Sequence, residues 1–188
     1  PVMKGDGFTA QTVDTKGIHG NTLNDWVRQY HQGVRAIDEG VGRLVEALRE
    51  SGQLDNTLIV FTADQGIGWG QHGFRVKLAP YDATIRSPLI ISMPSRLPTN
   101  KVCKTPVAGI DLVPTFFHYA QLELPWEMHG ENLQPLLLKP EAPSNKTALT
   151  VMTGKKYGQD THVIPTNRED LYINNVPWWV SLRGGNYK

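Results

Sequence analysis

The stretch Asn56-Thr57-Leu58-Ile59-Val60-Phe61-Thr62-Ala63-Asp64-Gln65-Gly66 decides how this chain is read. Thr57 to Thr62 form a continuous β-branched and apolar run, without the alternation of a half-exposed strand, so they read as a strand covered on both faces. Asp64, Gln65 and Gly66 then break that run with the residue types of a loop. Upstream, Leu23, Val27, Tyr30, Val34, Ile37, Val41, Leu44 and Leu48 recur in alternating steps of four and three. That is the stripe of a long amphipathic helix with one face packed and the other charged. Thr22 or Asn24 can cap its start, and Ser51-Gly52 can end it. A helix followed by such a strand is the alternation of an α/β fold with a parallel sheet.

Downstream the alternation continues. Pro88 to Met93 is a second strand bounded by prolines, and a shorter helix is expected across Asp111 to Ala120 despite Pro114. Prolines and polar residues between Gln121 and Asn145 read as a surface excursion. Strands follow at Thr147 to Met152 and from Trp178, separated by a long loop over Gly154 to Asn175. The organisation is one partial domain over residues 1–188, with an α/β segment at 22–120 and a loop-rich segment at 121–188.

The totals exclude several classes. A chain of 188 residues at 39% hydrophobic can bury one ordinary core. Its 19 basic and 18 acidic residues nearly cancel, which leaves no electrostatic case for nucleic acid or a membrane surface as partner. Cys103, the single cysteine, can form neither an internal disulfide nor a zinc-ligand pair. No stretch is apolar for long enough to cross a bilayer, and Pro1 to Gly7 lack the pattern of a signal peptide. The end at Asn186-Tyr187-Lys188, directly after a strand, reads as an interruption.

The chemistry centres on Asp64 and Gln65. Acidic and amide side chains at the carboxyl end of a buried strand sit where open α/β sheets bind ligands. Their oxygen atoms suit calcium or magnesium and suit zinc poorly. The same residues also fit a strand-ending turn in which Asp64 bonds its own backbone. Gly66, Gly68 and Gly70 permit a tight loop, and Gln71 to Lys77 place His72, Arg75 and Lys77 directly after it. Three cationic groups can hold an anionic oxyacid beside a metal, or can form a solvated basic loop. Trp69, Trp126, Trp178 and Trp179 can stack on sugar rings or fill a core.

The order of Val34 to Leu44, Asn56 to Gly66, Gln71-His72-Gly73, Lys77 and Arg86 to Ile91 resembles the sulfatase family over residues 24 to 120. Met152 to Thr161 and Val176 to Val180 resemble the later part of some bacterial members. The resemblance implies an alkaline-phosphatase-like α/β sandwich with a mostly parallel central sheet, in which Asp64 and Gln65 ligate calcium. Gln65 stands where the family usually carries Asn or His, and its amide keeps the carbonyl oxygen. Lys77 matches the lysine that binds the sulfate near the leaving oxygen, and His72 lies in a segment near the substrate, with Arg75 beside it. The implied reaction is sulfate-ester hydrolysis by a formylglycine made from a Cys or Ser followed by x-Pro-x-Arg, expected upstream together with a pair of aspartates. A sulfated glycan is the implied substrate, and export to the periplasm or beyond is implied by the bacterial likeness.

Ser92-Met93-Pro94-Ser95-Arg96 fits that nucleophile pattern literally, but it follows the metal segment and lacks the small residue and glycine expected after it. A proline turn at a strand end accounts for it. Two other readings remain at this level: a phosphoryl or phosphonate hydrolase on the same sheet, and a non-catalytic carbohydrate-binding homologue.

Overall fold

The computed structural model describes residues 23–73, 75–153, 166–167, 169, 172–173, 176–185 and 187. The first element is helix α1, Leu23–Glu50. It stops where the sequence says it should: Gly52 takes a left-handed φ of 69°, the Gly52 N–H bonds the Arg49 carbonyl at 3.0 Å, and the Gln53 N–H reaches back to Leu48 at 2.8 Å. These two bonds close the carbonyls that any helix end leaves open. Much of the apolar stripe of α1, however, is left exposed among the described residues. Ile37 is 53% and Leu44 68% exposed, and Val27, Tyr30 and Val34 are exposed beside them.

Strand β1, Ile59–Thr62, pairs with β4, Leu89–Ser92, in the register Ile59 to Ser92 and Thr62 to Leu89. The pairing is antiparallel, which corrects the expectation of a parallel neighbour. Parallel neighbours are usually joined by a crossover helix, and the connection between these strands contains only the four-residue α2, Asp82–Ile85. Instead it folds into a hairpin of β2, Gly68–Trp69, and β3, Arg75–Val76. Ile59, Val60 and Phe61 are half-buried rather than covered on both faces.

Helix α3, Leu112–Ala120, forms where expected, preceded by a 3₁₀ turn at Gly109–Asp111. The segment after it is not merely a surface excursion. It contains α4, Gln134–Leu138, and Leu133, which is 2% exposed. The Thr115 hydroxyl donates to the Asp111 carbonyl and accepts the Leu133 N–H at 2.8 Å, so the excursion is tied to α3.

Strand β5, Thr147–Met152, pairs antiparallel with β8, Trp179–Gly184. One face of this ribbon is bare: Leu149, Val151, Val180 and Leu182 are all exposed. Most of the expected loop at 154–175 lies outside the described residues, and its end forms a short hairpin of β6, Tyr172–Ile173, with β7, Val176–Pro177. Among the described residues the sheets are pairs of strands, and the α/β class holds.

Candidate active site

Thr62 ends β1 with its hydroxyl donating to the Pro88 carbonyl at 2.9 Å, and Asp64 follows at the carboxyl end of the strand. The chain then enters a narrow passage. A Cβ on Gly66 would be driven into the backbone carbonyl oxygens of Ala83 and Arg86, so only glycine lets this segment lie against α2. The β2–β3 hairpin turns back sharply, with Gly70 at φ 106° and His72 at φ 56°. The Trp69 N–H is held by the Gln71 side-chain oxygen at 2.6 Å. The return of this hairpin brings Lys77 to Asp64.

The Lys77 ammonium donates to Asp64 Oδ2 at 2.5 Å, while Asp64 Oδ1 accepts the Gln65 backbone N–H at 2.8 Å. The expected turn bond therefore forms on one carboxylate oxygen, and Lys77 occupies the other. The hydrogen bond from Lys77, then that from the Gln65 backbone, holds the Asp64 carboxyl below the usual aspartate value. Asp64 is 76% and Lys77 39% exposed in their side chains, so water screens the pair and it contributes little to stability. Such a pair can exchange partners cheaply when a cation meets the carboxylate and an anion meets the ammonium.

The remaining expected residues are distributed differently. His72 stacks on Tyr81, with ring centroids 4.0 Å apart and planes within 10°. No hydrogen bond links it to Asp64 or Lys77. Gln65 is exposed next to Asp64. Arg75 lies in β3 opposite Trp69 by backbone register. Trp69 meets Tyr30 of α1 edge to face at 5.2 Å, which joins the hairpin to the long helix.

Asp64 and Gln65 supply oxygen donors of the kind that calcium and magnesium prefer. Among the described residues no group of three or more His, Cys, Asp or Glu side chains converges to complete a metal site. The donor chemistry of the two side chains fits a hard cation, and two residues would supply only part of the six to eight ligands such an ion takes. Ser92, the literal match to a nucleophile pattern, pairs with Ile59 at the opposite end of β1 from Asp64. It lies away from this chemistry.

Sequence reasoning missed two features. Trp179 of β8 donates its indole N–H to the Leu78 carbonyl at 2.8 Å, immediately after Lys77. Asp111 is buried and pairs with Lys146 at 3.1 Å. Neither carries a local signal: the partners are separated by 101 and 35 residues.

A carboxylate and a lysine are thus gathered by a glycine-rich loop at the end of a strand in an α/β fold. The family model described as Sulfatase matches residues 4–122, and the chain belongs to that family. An N-acetylglucosamine-6-O-sulfatase of Bacteroides thetaiotaomicron is 37% identical over 125 residues, covering 64% of this chain and 22% of that protein. A solved structure of a protein in complex with its substrate D-glucosamine-2-N,6-O-disulfate matches 81% of this chain and 28% of its own at a TM-score of 0.65 and 30% identity. A phosphonate monoester hydrolase from Silicibacter pomeroyi matches 63% of this chain and 24% of its own at a TM-score of 0.57 and 35% identity. The chain thus spans about a quarter of these relatives, and its fold is a mixed α/β part of the alkaline-phosphatase-like architecture. No helix among the described residues is long and apolar enough to cross a membrane.

Proposed function

We propose that this chain supplies one wall of the active site of a sulfate-ester hydrolase. In this reading Asp64 and Gln65 ligate a calcium ion, with magnesium as the alternative, and Lys77 binds the sulfate group. The observation that carries it is the Asp64–Lys77 pair at 2.5 Å, exposed at the end of β1. A bound cation supplies neutralisation of charge on the sulfate oxygens. The chain's own residues do the rest of this wall's work. Asp64, kept ionised by Lys77, would offer a carboxylate oxygen to the cation and Gln65 an amide oxygen, and Lys77 would donate to a sulfate oxygen. His72 and Arg75 belong to the same loop, and in this reading they contact the substrate.

The nucleophile, by family resemblance a formylglycine, and the other acidic ligands belong to a portion of the protein outside this sequence. The uncovered stripe of α1 and the bare face of β5–β8 support that view, since a stable domain does not leave so many apolar side chains in water. The relative solved with a disulfated glucosamine supports a sulfated sugar as substrate.

A second reading, hydrolysis of phosphonate monoesters, is favoured by the likeness to the Silicibacter pomeroyi enzyme. Turnover of an aryl sulfate and an aryl phosphonate by the full-length protein separates the two. The sulfatase reading expects the sulfate to have the higher kcat/KM, and a faster phosphonate reaction overturns it.

A further inference from the structure

We infer that Trp179 is a positioning residue for Lys77, and that β7 and β8 clamp the loop that carries this lysine. The inference rests on the role proposed above for Lys77. Leu78, the residue after it, has φ 85°, a left-handed conformation that a branched non-glycine residue adopts only when its surroundings enforce it. The indole N–H of Trp179 donates to the Leu78 carbonyl at 2.8 Å. The enforcement is therefore a hydrogen bond from a strand 101 residues away.

Packing acts at the same place. Ala79 is 0% and Val176 2% exposed, and Leu78, Tyr81 and Trp179 close around them. Three further contacts hold the loop. The Thr84 hydroxyl donates to the Ala79 and Tyr81 carbonyls. Arg183 of β8 pairs with Asp82 at 2.8 Å. Tyr81, on this cluster, carries the stacked His72. Lys77 is thus only partly placed by its own hairpin; the strained peptide that follows it is fixed from β8. Loss of the indole donor frees Leu78 to relax and swings the Lys77 side chain off the sulfate position.

The test uses the full-length protein carrying Trp179→Phe, which keeps an aromatic ring and deletes the donor. Replacement of Trp179 by β-(3-benzothienyl)alanine, in which sulfur takes the place of N–H in the same ring shape, serves if the phenylalanine variant does not fold. With Lys77 present, kcat/KM for an aryl sulfate falls about tenfold, the effect of one lost hydrogen bond. In a Lys77→Ala background the same change costs less than about twofold, because nothing remains to be positioned. An equal loss in both backgrounds, or none with Lys77 present, overturns the proposal. If the unaltered protein hydrolyses no sulfate ester, the functional reading falls and hydrogen exchange decides the clamp. Faster exchange across residues 77–81 in the variant supports it, and unchanged exchange overturns it.

Discussion

Two aspartates in this chain each pair with a lysine, and they could hardly differ more. Asp111 and Lys146 are 2% and 9% exposed; Asp64 and Lys77 are 76% and 39% exposed. Around Asp111 both carboxylate oxygens are engaged, by three hydrogen bonds in all. One oxygen accepts the Ala108 N–H at 2.8 Å, and the other accepts the Glu131 N–H at 2.8 Å and the Lys146 ammonium at 3.1 Å. Glu131 also faces Lys146 at 3.2 Å. A buried carboxylate held on both oxygens is enclosed by its own chain, and it joins α3 to the 131–146 segment. Around Asp64 the bonds are few and face water. The same pair of residue types serves architecture in one place and leaves a site open in the other.

The largest break of this contrast is Asp111→Ala. It removes the buried partner of Lys146, leaving that ammonium only the exposed Glu131 carboxylate, and frees two backbone N–H groups, so it should cost about 3–5 kcal/mol of stability, read by denaturant unfolding of the full-length protein. A cost below 1 kcal/mol would make the network dispensable. Next comes Gly66→Ala, where the added methyl meets the carbonyls of Ala83 and Arg86 and forces α2 away from the strand end. It should cost about 1–3 kcal/mol and lower activity, because the displaced segment also sets Asp64. The counterpart at the open site, Asp64→Ala, should leave Tm within about 2 °C of the parent, since exposed ion pairs contribute little.

The smallest expected effect concerns protonation. Lys77→Ala removes the main influence that lowers the Asp64 pKa, so the carboxyl should titrate at higher pH in the variant, as followed by carboxyl carbon NMR. The sign follows from linkage. A depressed carboxyl pKa in the folded state adds stability above the unfolded value, and that stability disappears as pH falls through the folded one. Removing Lys77 narrows that acid window. An Asp64 titration unchanged by the substitution would mean that Lys77 does not reach it in solution.

How much of this was legible in the sequence follows from distance along the chain. Leu23 to Leu48 and Thr57 to Thr62 declare a helix and a strand because their patterns are local, and Asp64-Gln65-Gly66 is marked by the break in the second one. Lys77 lies only 13 residues beyond Asp64, so order and spacing could put both in one loop segment, while the ion pair between them came from the fold of the hairpin. The direction of β1's partner was not legible, since side-chain pattern records burial and says nothing about which neighbour supplies it. Trp179 could be seen as an aromatic near a strand, but its bond to Leu78 depends on how β8 folds back. Lys146 likewise sits among prolines and polar residues that look solvated, and only the tertiary path of 121–146 buries it.

In the proposed function the exposed pair at the end of β1, unlike the buried pair at α3, serves a metal and a sulfate ester. The most direct measurement is hydrolysis of an aryl sulfate, with calcium titrated, by full-length Asp64→Ala beside the parent at matched Tm. The account predicts that the variant folds normally, loses about a hundredfold or more of kcat/KM, and no longer saturates with calcium. Parent-like turnover with an unchanged calcium dependence would contradict it.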